Sequence, residues 1–312
     1  MTNLTLLRRL AAPQPRLLDL LPGAVAAYGL RLLRAGYLGP AVRVRRSSDN
    51  AEQDFYFDHL GRLNIAALLN FCGAGSGFVT KFYDQTGGGY HALQTTSSAQ
   101  PTIVSFGVLV TAPSGMPAMT FVTDDFLVET TYAWHTLPAV TLLAVHTPQV
   151  SSAADTAYGC LMSISKAGDG GNGFFIGGAS GTVSGESFTI GINKDGGITV
   201  PRIGPSAANY PFTSGITQID AVQVGTSGSK LWKNGAAITI DQTGGGGSVA
   251  ANYAPDQTGT NATHDMHIGV YRNTSDFFFI NSKLSEWVVY PTYFGTSLLT
   301  LAMSNIRSAQ RV

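Results

Sequence analysis

Apolar and polar residues alternate with a period of two along much of this chain. In residues 78–94, FVTKFYDQTGGGYHALQ, the side chains of Phe78, Thr80 and Phe82 alternate with Val79, Lys81 and Tyr83. The β-branched and aromatic content fits a pleated, half-buried strand. The strand stops abruptly at Tyr83, Asp84 and Gln85, which lead into Thr86 and the glycines Gly87, Gly88 and Gly89. Asp bonds its own downstream backbone and Gly takes positive φ without steric cost, so the block predicts a structural turn at the edge of a sheet. A phosphate-cradling loop would need Lys and Ser/Thr after the glycines, and here Tyr90 and His91 follow.

The same alternation predicts a strand over 41–46 and short strands over 101–110, 118–128, 139–146, 160–166, 174–177, 188–193 and 219–224. Residues 229–240 read as a hairpin turning at Asn234-Gly235, the strongest short hairpin signal. Further strands are expected at 267–271, 277–280 and 283–290. Helical spacing is confined to a few places: 24–35, with Tyr28, Leu32 and Ala35 on one face; 64–71; and a closing segment, 296–307, in which Leu298, Leu299, Ala302 and Ile306 share a face. Many short strands without intervening long helices indicate a mainly β, antiparallel sandwich.

The first 24 residues read as an N-terminal docking arm ahead of a single domain over 25–312. Leucines at 4, 6, 7 and 10 make a short amphipathic helix over 2–10, Pro13 and Pro15 break it, and 16–21 form another turn. A leucine-rich segment this short cannot bury its own face and must pack on the body, a sister subunit or a partner. Arg8, Arg9, Arg16 and Asp19 interrupt every apolar run, so neither a signal peptide nor a membrane span is expected.

Composition narrows the chemistry. The 312 residues carry 19 Lys plus Arg against 19 Asp plus Glu, which gives no global attraction for nucleic acid or anionic membrane. The densest basic cluster, Arg43, Arg45 and Arg46, is followed at once by Asp49, Glu52, Asp54 and Asp58, so mutual ion pairing is expected. Only 12% of residues are charged and 37 are Gly, a surface of Ser, Thr, Asn and Gln. Cys72 and Cys160 are too few for a disulfide scaffold or a cysteine zinc site and read as buried thiols. His264 and His267 have a helical metal-ligand spacing in what reads as a strand, so neither metal nor other cofactor is expected. No Ser/His/Asp arrangement stands out.

The order of the last third, from the Trp232-containing Asn-Gly hairpin through Ile268-Gly269 and Glu286-Trp-Val-Val-Tyr290 to a closing helix, resembles the concanavalin A-like, laminin-G-like jelly roll. Phe71-Cys72, four residues, Gly77 and then the Tyr83-Asp-Gln-Thr-Gly-Gly-Gly-Tyr-His91 block resemble the catalytic domain of α-L-arabinofuranosidase B, the glycoside hydrolase 54 type. The resemblance implies a cysteine pair whose second member falls on Gly77, and a vicinal cysteine pair that has no counterpart here, since Cys160 stands alone. It places a nucleophilic glutamate where this chain has Asn193, Lys194 and Asp195, and an acid/base aspartate after Ile268-Gly269, where Val270, Tyr271 and Arg272 follow. Retaining hydrolysis needs two carboxyls about 5 to 5.5 Å apart; Asp195 and Asp276 are the acids that would supply them.

Residues 27–54 are also similar to the start of tailed-phage virion proteins carrying the same block. That similarity implies a non-catalytic virion protein, made in the host cytoplasm, whose arm binds other virion proteins. The expected task is tail-borne attachment to a host-surface glycan, as a homo-oligomer such as a trimer, with no enzyme activity. Trp232, Asn234, Tyr271 and Asp195 are the candidate sugar contacts, because aromatics stack on a sugar's apolar face while Asn and Asp bond its hydroxyls. The alternatives are a capsid decoration or tail-assembly protein binding only protein, and an active arabinofuranosidase-like glycoside hydrolase.

Overall fold

The structure, a computed structural model, describes residues 15–122, 124–148, 160–165, 173–178, 188–193, 202–205, 215–225, 228–244, 264–272, 277–279 and 282–312. It is mainly β and antiparallel, as the alternation predicts. One sheet runs, in spatial order, Ala236–Ile238, Gly228–Lys233, Gln218–Gly225, Ala139–Pro148, Ser282–Tyr290 and Ala26–Gly29. The other runs Gln242–Gly244, Arg202–Gly204, Phe188–Asn193, Gly173–Gly178, Cys160–Ser165, Asp265–Ile268, Leu127–Glu129 and Ala92–Leu93.

Strand Gly77–Phe82 joins the two. It pairs with Ala92–Leu93 of the second sheet and with Val42–Arg46, and through Thr102–Ser105 and Met119–Phe121 it reaches Ser282–Tyr290 of the first. Between the sheets lies a core in which Val140, Leu142, Val222, Leu231 and Trp287 meet Met162, Ile164, Ile176, Ile190 and Met266. Each such side chain contributes about 1.5–3 kcal/mol by leaving water. On the outer face of the first sheet a second cluster forms. Leu143, Val145, Ile219, Val288 and Tyr290 pack there against Leu17, Leu18 and Leu21 and against Leu299, Ala302, Met303 and Ile306 of the closing helix Thr296–Gln310.

The hairpin turns at Asn234-Gly235 as expected, both residues having positive φ (51° and 87°). The helix at 64–71 is present as Ile65–Cys72, capped by the Asn64 side chain, which accepts from Ala67 N. The helical expectation for 24–35 fails. Ala26–Gly29 is a strand, paired with Glu286–Val289 and buried on both faces, Ala26 and Tyr28 in the inner core and Ala27 in the outer cluster. A continuous apolar run carries no period by which helix and buried strand are told apart.

Past that strand the chain is irregular yet buried; Leu30 N donates to Ser285 O, Leu32 N to Gly61 O and Leu18 N to Leu33 O, and the 83–91 block supplies much of the rest. Gln85 Oε1 accepts from Leu33 N (2.8 Å), while its Nε2 donates to the carbonyls of Gly29 (3.0 Å) and Arg31 (3.1 Å). Gln85 N donates to Ala27 O. Asp84 Oδ1 accepts from Ala27 N (3.0 Å) and Thr86 N (2.9 Å), and its other oxygen takes the Thr86 hydroxyl. Asp84 N donates to His91 Nδ1 (3.1 Å), an acceptor kept available because burial, with Lys81 nearby, holds the imidazole pKa down. Gly87 has φ +90°, and a Cβ there would meet the Arg34 guanidinium at 3.0 Å; Gly89 has φ +83°. The Tyr83 ring is buried and its hydroxyl donates to Asp54. The block is therefore a clamp on the first strand, more central than a turn at a sheet edge. Replacing Gln85 with Ala leaves one buried N–H and two buried carbonyls without their partner, and a loss of about 3 kcal/mol is expected in urea unfolding.

The arginine cluster pairs internally, as its acidic neighbours predict. Arg43 holds Asp54 and Arg46 holds Asp49, each bidentate, whereas Asp58 pairs with Arg62 and Arg45 reaches Gln100 and Asn50.

Both cysteines are buried free thiols. Cys72 Sγ sits 2.7 Å from where a Cβ on Gly77 would lie, next to Val44. That is close to the separation across a disulfide, within a few tenths of an ångström. Gly77→Cys should therefore form a disulfide with Cys72 on exposure to air, stabilising the fold by about 2 kcal/mol for so short a loop. The gain should vanish on adding a reductant, measured by urea titration with and without it.

Candidate active site

The second sheet presents one apolar and one polar face. Along Cys160–Ser165, Met162 and Ile164 point into the core while Ser163 and Ser165 take the opposite side, the period-two geometry of a strand. Pairing extends that opposite side across the sheet. One row runs Val128, His267, Ser163, Phe175 and Gly191; the next runs Asp265, Ser165, Gly173 and Asn193. Gly191 leaves room for its neighbour, since a Cβ there would lie 2.2 Å from the Phe175 ring.

This polar face is roofed. After Ile268 the chain turns at Gly269 (φ +91°) into the hairpin of Val270–Arg272 and Phe277–Phe279, and the Ser163 hydroxyl donates to Val270 O (2.8 Å). Ser163 Oγ is also 3.0 Å from Ser165 Oγ, and both serines are fully buried. The Phe126 ring lies 6.0 Å from His267, whose side chain is buried. The turn after Ile268-Gly269 and the end of strand Phe188–Asn193 thus belong to the same face. In register Asn193 is three strands from Asp265, about 14 Å at the usual strand spacing.

The four candidate sugar contacts do not form one group. Tyr271 is in the roofing hairpin. Asp195, two residues beyond Asn193, lies outside the described residues, as does Asp276. Trp232 and Asn234 are on the other sheet. Trp232 is half-buried and lines a groove of about 430 Å³ with Met303, Arg307 and Val312. Asn234 is held in its turn: its side-chain oxygen accepts from Ile219 N (2.8 Å) and its carbonyl from Arg307. Of the block at 83–89, Asp84, Gln85 and Gly87 serve the clamp, Tyr83 bonds Asp54, and Gly89 turns the chain at positive φ.

Several buried carboxylates that composition could not place are already engaged. Glu129 accepts from Trp134 Nε1 (2.5 Å), Thr131 N (2.7 Å), Tyr132 N (3.1 Å) and the Thr131 hydroxyl. Glu286 is bidentate with Arg31 and also accepts from Gln310. Asp220 accepts from Gln218 and meets His146 Nε2 at 2.6 Å, with Ser282 Oγ 3.3 Å from the other ring nitrogen. The last is a Ser/His/Asp arrangement absent from any sequence motif. All three residues are buried and Ser282 also donates to its neighbour's carbonyl, so the network braces the sandwich interior. Among the described residues no group of three or more His, Cys, Asp or Glu is placed to hold a metal, and no helix is long and apolar enough to cross a membrane.

Known proteins resemble this chain in the sequence that contains the clamp and in the sandwich that carries this face. The sequence model of the α-L-arabinofuranosidase B catalytic domain matches residues 21–112. That stretch is less than a third of the chain and contains the whole clamp. In fold the likeness is far longer. An arabinofuranosidase complexed with arabinofuranosyl-α-1,2-xylobiose superimposes with a TM-score of 0.60 at 18% identity, covering 92% of this chain and 63% of that one. A GH54 α-L-arabinofuranosidase soaked with a cyclic sulfate inhibitor gives 0.59 at 16%, with the same coverage. A glutamate-to-glutamine mutant of a GH54 enzyme soaked with 4-nitrophenyl α-L-arabinofuranoside gives 0.58 at 18%, again with the same coverage. The chain therefore spans 63% of the length of these three proteins. No curated protein matches it in sequence.

These findings correct two expectations. The non-catalytic virion attachment protein, and the absence of enzyme activity that went with it, are overturned: the 21–112 block and the fold around it match those of a glycoside hydrolase catalytic domain. Against that match, the missing glutamate and the similarity of residues 27–54 to virion proteins carry less weight.

One acid next to the polar face is perturbed. Asp125 immediately precedes Phe126, is 6% exposed, and accepts from Val122 N; burial raises its pKa to about 6. Because the folded-state pKa is raised, ionisation costs stability that is intact below about pH 4 and lost as pH rises through about 6. Asp125→Asn keeps an oxygen for Val122 N and removes the charge. It should be more stable than the parent by about 2 kcal/mol at about pH 8, with no gain at about pH 4, read from urea midpoints across pH.

Proposed function

We propose that the chain is a glycoside hydrolase of the arabinofuranosidase type, cleaving terminal α-L-arabinofuranosyl groups from glycans at the polar face of the second sheet. The observation that carries this reading is the continuity between the arabinofuranosidase B match at 21–112 and a fold match covering 92% of the chain. The polar face supports it, since the end of strand Phe188–Asn193 and the turn at Gly269 both belong to that face.

Retaining hydrolysis needs a carboxylate nucleophile and a carboxylic acid about 5 to 5.5 Å apart, and only water besides. Asp195, just past Asn193, is assigned the nucleophile, one methylene shorter than a glutamate. Asp276, four residues after Arg272 in sequence, is assigned the acid that protonates the leaving oxygen and then activates water. The buried serines and His267 hold the sheet face and its roof in register.

The test is release of 4-nitrophenol from 4-nitrophenyl α-L-arabinofuranoside by the full chain. Turnover is expected, with Asp195→Asn lowering kcat at least about a thousandfold. Asp276→Asn should spare this good leaving group far more than an alkyl arabinofuranoside, whose departure needs the proton. A folded chain that releases no 4-nitrophenol above background overturns the proposal, and an Asp195→Asn variant with unchanged kcat overturns the assignment of the nucleophile.

A further inference from the structure

The closing helix Thr296–Gln310 buries one face and leaves another exposed, and the exposed face is apolar at Leu298 (44% exposed) and Leu301 (41%). Beside it runs a groove of about 440 Å³ whose lining includes Pro15, Arg16 and Leu20 from the start of the described chain and Leu301, Asn305 and Ala309 from the helix. Asn305 Nδ2 donates to Pro15 O (2.8 Å) and Arg31 Nη2 donates to Asn305 Oδ1 (3.2 Å), so the chain enters the described fold from the groove itself. Residues 1–14 lie outside the described residues.

We propose that this groove is the docking site of the chain's own first 14 residues. The groove's apolar part is Leu20, Leu301 and Ala309, beside Arg31, Ser304 and Ser308, and the sequence of the segment supplies leucines for that part: Leu4, Leu7 and Leu10, with Leu6, recur at three- and four-residue intervals, with Arg8 and Arg9 between them. A helix over residues 2–10 would be about 14 Å long, against about 22 Å for the closing helix, so it is short enough to lie beside that helix. The tether is short, from Ala11 to Gln14, and a tethered segment has an effective concentration in the millimolar range, which favours the arm of the same chain over that of a second copy.

The experiment is a double-mutant cycle in the full chain. Leu301→Glu keeps a good helix former at an exposed position, and Leu6→Ser/Leu7→Ser/Leu10→Ser strips the arm. Each should lower Tm by about 3 °C and the combination by no more than either alone, because both remove one contact. Amide exchange in residues 298–309 should speed up equally in both variants. Additive losses, or no loss from the arm substitutions, overturn the proposal. So does a Tm that rises with protein concentration together with a dimer in light scattering that the arm substitutions abolish, which would make a second copy the occupant.

Discussion

The fold depends on how one buried, irregular stretch of backbone finds its hydrogen-bond partners. Residues 30–33 leave the strand Ala26–Gly29 with only an isolated bridge, Arg31 to Arg62, and single bonds to Ser285 and Gly61, yet Leu30, Arg31 and Leu33 are almost fully buried. A buried N–H or C=O without a partner costs about 1–3 kcal/mol, so such a segment survives only if something supplies donors and acceptors in the right alternation. A primary amide is the side chain that offers both. Gln85 reaches three backbone groups of this stretch, and Asp84, acceptor only, takes the N–H of Ala27 one step earlier. The glycines then bring the chain close to the Arg34 guanidinium, whose Nη1 donates to Thr86 O.

From this clamp the rest of the arrangement follows. Once Ala26–Gly29 is fixed, it pairs with the strand Ser282–Tyr290 and places Arg31 opposite Glu286 in a bidentate, buried contact. A buried pair of this kind adds little net stability against an apolar alternative, but removing one partner would strand the other charge. Its value here is positional. Gln310 also donates to Glu286 and Asn305 accepts from Arg31, so the closing helix is seated by the same two charges that the clamp sets in place.

Much of this is legible in the sequence and some is not, for identifiable reasons. Alternation finds the strands, and Asn234-Gly235 finds its hairpin, because period and turn chemistry are local. Ala26–Gly29 reads as helix because a strand buried on both faces has no polar position to reveal its period. The 83–89 block is recognisable as a turn, but its role depends on which distant carbonyls lack partners. The polar face is written in Ser163 and Ser165 alternating with Met162 and Ile164, though only the pairing with His267, Phe175 and Gly191 turns two serines into a surface. The Ser282, His146 and Asp220 network is spread over 136 residues of chain and has no linear signature.

The clamp lies wholly within the stretch that the sequence match covers. Residues 21–112 contain the first strand, its clamp and the strand Gly77–Phe82 that links both sheets, a set whose members are mutually constrained: changing Gln85 or Gly87 orphans groups elsewhere. The second sheet is under a looser constraint. Its inner face requires only apolar residues of suitable volume, and cores tolerate substitution when volume and pattern are kept. Its outer face carries Ser163, Ser165 and His267. Fold likeness over 92% of the chain at 18% identity establishes the sandwich and leaves the side chains that line it to this chain's own sequence. Chemistry at such a site cannot be judged from whether a glutamate stands at one strand position.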